Sequence, residues 1–187
     1  MNIFSLLFLM FCIFCPVGSE EAVMEKGTVE AVENGHRDIE AGFEVKFPEG
    51  WDIKRGVMGA DVIALAPSDS DEDLFRENVN IIHADLEFPI TQDEYSKINM
   101  TRLEELLTDY DLEESDDVDV DGIQSKRLIY THRMGVVNAK VMQYLILVGS
   151  NAYVITFTTD PKMFDQYRGV FDEIMKTFKF VKDGKEE

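Results

Sequence analysis

Residues 122–159 read GIQSKRLIYTHRMGVVNAKVMQYLILVGSNAYVITFTT, and this stretch decides the fold. It holds three runs rich in β-branched and aromatic residues, Gly122–His132, Val137–Val148 and Ala152–Thr159. Gly135 separates the first two, and Gly149-Ser150-Asn151 separates the last two. Connections this short admit only antiparallel hairpins, because a parallel crossover needs a dozen residues or more. Asp160-Pro161 then opens a helix, as an N-cap followed by proline at the first helical position. The apolar stripe of that helix is Phe164, Tyr167, Phe171, Ile174, Met175 and Phe178. A last strand over Phe178–Val181 is expected to close the sheet.

Upstream, Phe43, Val45 and Phe47 alternate with Glu44 and Lys46, the period of a half-buried strand. Pro48-Glu49-Gly50 turns the chain, Trp51-Asp52-Ile53 resumes it, and Asp61–Ala66 forms another short strand. Asn78–Leu86 alternates again, with Val79, Ile81 and His83 on one face and Ile82 and Ala84 on the other. Thr91-Gln92-Asp93-Glu94 is a capping box. Tyr95, Ile98, Leu103, Leu106 and Leu107 follow at helical spacing, interrupted by Arg102, and predict a helix to about Thr108. The fold class is therefore α+β, an antiparallel β-sheet sandwiched by amphipathic helices. Strand and helix do not alternate, which excludes a doubly wound nucleotide fold.

Before this domain lies an uncharged leader, residues 1–19. At about 1.5 Å per residue, the apolar run Ile3–Phe14 spans about 18 Å, well short of a hydrocarbon core of roughly 30 Å. It reads as a signal peptide cleaved after Ser19, with Val17 and Ser19 as the small residues at −3 and −1. The competing reading is lipidation of Cys15, which would anchor the protein to the envelope. Phe14 is far too large for the position before a lipidated cysteine, so secretion is favoured. Both cysteines, Cys12 and Cys15, sit in this leader, so the folded part has no disulfide and relies on its apolar core. Residues 20–42, acidic and containing Gly27, Gly35 and Gly42, read as a flexible linker, with a short edge strand at Thr28–Val32 as the competitor. A single domain over 43–182 and a charged tail over 183–187 complete the chain.

The formal charge is −19. With no basic stripe, nucleic acid is excluded as a partner, and anionic membrane surfaces repel the chain. A cationic protein partner, divalent ions or simple solubility remain.

Three blocks resemble the PsbP-like family: Phe43–Trp51, then Phe75-Arg76-Glu77-Asn78-Val79-Asn80-Ile81, then Ala152–Thr158 with Phe164, Tyr167, Phe171 and Phe178. The likeness covers residues 43–181. That superfamily includes the oxygen-evolving extrinsic protein of photosystem II, DcrB-like periplasmic proteins of bacteria, and a eukaryotic factor that binds the GTPase Ran. The resemblance implies an antiparallel sheet between helices and an accessory or binding role with no common chemistry. The leader fits the bacterial envelope members.

The chain carries no Gly-rich phosphate loop, no G-x-S-x-G elbow and no H-E-x-x-H. His83-Ala84-Asp85 places two potential ligands on one strand face, about 6.6 Å apart; packing of His83 at the sheet margin is the simpler reading. The acidic run Asp109, Asp111, Glu113, Glu114, Asp116, Asp117, Asp119 and Asp121 meets no base before Lys126. Within it, Asp117-x-Asp119-x-Asp121-Gly122 copies the first half of an EF-hand loop. Leu128 stands at the twelfth position, where the bidentate Glu is needed, so a true EF-hand is excluded. A weak calcium site at Asp117, Asp119 and Asp121 is the one metal candidate, against a solvated acidic loop before a strand. Trp51 reads as core rather than pocket lining, and Asn78 as a residue that bonds nearby backbone.

The sequence thus predicts an exported accessory protein of the bacterial envelope, acting by protein–protein contact and not as an enzyme. No catalytic residue and no cofactor is expected. The alternative is an extracytoplasmic binder of small ligands or calcium. Oligomeric state is not encoded in any motif.

Overall fold

Gly135 and Gly149 take φ angles of 62° and 63°, the left-handed conformation that tight hairpins require, and the strands they join pair antiparallel. The computed structural model describes residues 29–30, 33–68 and 75–181. The leader with Cys15, and the tail at 183–187, lie outside the described residues.

Three short strands come first: β1 (Val29–Glu30), β2 (Gly35–Asp38) and β3 (Phe43–Lys46). The hairpin β4 (Asp52–Val57) and β5 (Ala60–Leu65) leads to β6 (Asn78–Asp85) and helix α1 (Gln92–Leu106). The meander follows as β7 (Thr108–Val120), β8 (Ile123–Met134), β9 (Val137–Val148) and β10 (Asn151–Thr159). Helix α2 (Phe164–Thr177) and β11 (Lys179–Phe180) end the described chain. Strands β4-β5-β6-β10-β9-β8-β7 form one seven-stranded sheet in that order, and β1-β2-β3-β11 a four-stranded one.

Each face of the large sheet buries its own core. On one face Val79, Ile81, Ile155 and Phe157 pack with Phe164, Phe171 and Ile174 of α2 and with Phe43, Val45 and Phe178. On the other, Ile82, Val154, Leu145, Leu128 and Tyr130 pack with Tyr95 and Leu103 of α1. The protein is the expected α+β sandwich, with the second sheet sharing a layer with α2.

The capping box forms as read: the Glu94 N–H donates to Thr91 Oγ1 at 3.2 Å, and the Thr91 N–H donates to Glu94 Oε2 at 2.8 Å. Four expectations need correction. Part of the stretch read as linker is ordered: β2 pairs with β3, and His36 is buried against the Phe43 ring at 5.2 Å. The acidic run is a strand, β7, and not a loop. Helix α2 starts at Phe164, because the Asp160 carboxylate accepts the Lys162 N–H and forms a separate turn first. The final strand is β11, and it pairs with β3 in the small sheet instead of closing the large one.

Candidate functional site

Strand β7 lies at the edge of the large sheet, and bases on its inner side hold its acids. Arg127 reaches Asp116 at 2.8 Å and Glu114 at 3.8 Å, and Arg168 of α2 reaches Glu114 at 3.4 Å. Arg133 pairs with Asp109 and Lys140 with Glu113, each at 2.6 Å, and Lys126 pairs with Asp117. Charge pairs facing one another across strands favour the register. Tyr110 and Leu112 join the α1-side core, whereas Val118 and Val120 join the α2-side core. The crossing is made by the register shift between Leu112 and Glu114, since a slip of one residue sends all later side chains to the opposite face.

Above Tyr110 and Leu112 the flank of α1 overhangs the strand. Asp93, Lys97, Met100 and Glu104 recur at helical spacing on that flank, next to the buried stripe Tyr95, Ser96, Asn99 and Leu103. With Tyr110, Leu112 and Lys126 they line a cleft of about 460 Å³. This size lies in the range of small-molecule and peptide side-chain pockets. Tyr110, in its wall, packs on the buried ring of Tyr130, with centroids 5.2 Å apart and planes tilted by 52°. The Tyr110 hydroxyl is buried with no hydrogen-bond partner among the described residues, and burial raises its pKa. The sequence signal for this cleft was the second polar-apolar stripe of α1; it has no meaning until β7 is known to be a strand.

The three candidate calcium ligands are engaged separately. Asp117 pairs with Lys126, the Asp119 carboxylate accepts the Gly122 N–H at 2.9 Å, and Asp121 binds Lys179 Nζ at 2.7 Å and the Phe180 N–H at 3.0 Å. Lys179 holds the Asp121 carboxyl below the usual carboxylate range. Among the described residues, no three His, Cys, Asp or Glu side chains converge as a metal site. The His83 ring lies tilted against Tyr153, centroids 5.2 Å apart, with Nε2 3.2 Å from Asn151 Oδ1. Trp51 packs, half-buried, against the α2-side core. Asn78 donates to the Arg76 carbonyl at 3.0 Å.

A second polar group lies where β5 meets β6. The His83 N–H donates to Asp61 Oδ2 at 2.7 Å, and burial raises the Asp61 pKa to about 6 despite that bond. His36 is shifted the other way, to about 4, because burial disfavours its charged ring. Its nearest carboxylate, Asp38, is 4.0 Å away. His36 is buried and Asp61 half-buried, and the Asp38 carboxylate acts on both.

No protein-family model matches the chain. No curated protein matches it in sequence. Solved structures match in fold. The chain is similar to cyanobacterial PsbP (CyanoP) from Synechocystis, with a TM-score of 0.58 and 18% identity over 89% of this chain and 100% of that one. It is similar to LpqN, a protein involved in cell envelope biogenesis of Mycobacterium tuberculosis, with a TM-score of 0.61 and 10% identity over 74% and 83%. It is also similar to the Saccharomyces cerevisiae Ran-binding protein Mog1p, with a TM-score of 0.53 and 13% identity over 75% and 91%. The fold is PsbP-like, as the three sequence blocks implied.

Proposed function

We propose that this chain is an exported accessory protein of the bacterial cell envelope, which acts without catalysis by docking a cationic protein partner on its outer acidic strand. The observation that carries this reading is β7: thirteen residues long, at the sheet edge, and unpaired on its outer side among the described residues. An open edge is a template for another chain, and its acids favour a basic one. The leader supports export, and LpqN supports an envelope role for one protein of this fold. Mass spectrometry of the mature N-terminus tests the address: a start at Glu20 fits a released protein, and lipid on Cys15 an anchored one.

A photo-crosslinking residue placed at exposed Asp111 on β7, and separately at Lys54 on β4, tests the docking in intact cells. The reading expects a basic envelope protein linked from position 111 alone, and lost in high salt. Equal labelling from both sites, or none, refutes it. Micromolar calcium raising the melting temperature without any cross-link would replace docking by cation binding.

A further inference from the structure

The open edge of β7 and the cleft beneath α1 adjoin, and both border the same strip of surface. We propose that an extended segment of the partner adds as an eighth strand along β7 and seats an apolar side chain in that cleft. This inference rests on the docking reading above and specifies its form.

The argument begins with the backbone. The outward N–H and C=O groups of β7 must bond to water or to a chain, and an added strand would lie about 4.8 Å farther out. Its side chains would alternate between the two faces of the sheet. Those on the α1 side would meet the cleft, whose apolar walls are Met100, Tyr110 and Leu112. Those on the other side would meet Glu113, Glu114 and Asp116, beyond the register shift. The segment that fits is therefore two-faced, apolar toward α1 and basic toward α2. Strand addition with pockets for alternate side chains gives both affinity and selectivity.

Charge also argues against a second copy as the occupant. Two β7 strands side by side would set one run of carboxylates against another, with −19 already on each chain.

The test uses the full mature chain and a short peptide that alternates lysine with valine about a central phenylalanine, followed by calorimetry. Two further peptides carry N-methyl groups on alternate amides, one set for each phase of the strand. Strand addition expects one phase to lose roughly tenfold or more in affinity while the other changes by less than about twofold. Replacing the phenylalanine by alanine should cost roughly tenfold, and this difference should vanish in Met100→Trp, which fills the cleft. Equal losses in both phases, or no binding of the parent peptide, overturn strand addition. The cross-link from position 111 decides the docking reading independently. Self-association through β7 in sedimentation, or tighter peptide binding after deletion of residues 20–28, would give the edge to the chain itself and also overturn it.

Discussion

Replacing Asp61 with Asn should stabilise this protein at neutral pH and have little effect in acid. Asp61 stands where the β5–β6 ladder stops, one residue before the Val62–Ile81 pair, and its carboxylate accepts the His83 N–H. Burial raises its pKa from 3.8 to about 6. The folded chain therefore holds a proton on Asp61 between those values while the unfolded chain does not. Stability falls as pH rises through that window, and the loss is complete above about 6. At about 1.4 kcal/mol per pH unit, the penalty at pH 7 is about 3 kcal/mol. An Asn side chain keeps an oxygen for the His83 N–H and carries no charge. Urea unfolding should place Asp61→Asn about 3 kcal/mol above the parent at pH 7 and level with it near pH 3.5. An equal difference at both pH values, or a less stable variant at pH 7, would refute the reasoning.

His36 supplies an internal check with the opposite sign. Its pKa falls from 6.5 to about 4, so the unfolded chain takes up the proton first as pH drops. Stability from this group is present above 6.5 and is lost as pH falls toward 4. The two windows nearly coincide, so in the parent the acid loss from His36 is offset by the gain from Asp61. Asp61→Asn removes the offset and should expose a loss of about 3 kcal/mol between pH 7 and pH 4.

Three further variants test the core. Tyr153→Phe removes the donor to the Ala41 carbonyl, which is 2.8 Å away, and should cost about 1–2 kcal/mol in urea unfolding. Gly42→Ala should cost roughly 1–2 kcal/mol by the same assay: its φ is +72°, and a Cβ there would sit 3.3 Å from the Tyr153 hydroxyl. Phe171→Ala should cost roughly 3–5 kcal/mol, because the ring is fully buried and packs against Phe157 with centroids 4.6 Å apart; a value near zero would mean that α2 is not seated as described.

The sequence made the meander legible because its signals are local. Gly135 and Gly149 mark the hairpins, and the alternation of Val79, Ile81 and His83 against Ile82 and Ala84 assigns two faces that the structure keeps apart. Helix α1 announced itself through a cap whose partners are three residues apart. Strand β7 was hidden for two physical reasons. Its acids have low strand propensity, and the register shift breaks its apolar alternation into Tyr110 and Leu112 on one face and Val118 and Val120 on the other. The bases that neutralise it come from β8, β9 and α2, up to 54 residues away. Strand β2 was hidden because its buried His36 is polar, and its packing on the Phe43 ring is set by pairing with β3 rather than by any local signal.

The same placement of charge explains how one strand can be both held and open. Asp109, Glu113, Glu114, Asp116 and Asp117 are drawn inward by Arg133, Lys140, Arg168, Arg127 and Lys126, so side-chain pairing adds to the backbone ladder on the inner side. Exposed pairs of this kind contribute only about 0–1 kcal/mol each, and salt weakens them. Their main effect is therefore on register, where they oppose a slip that would turn Tyr110 and Leu112 out of the α1-side core. The outer side is left with backbone groups and an excess of negative field. On the docking proposed above, that field would discourage a second copy and favour a basic segment, discriminating by repulsion as much as by attraction.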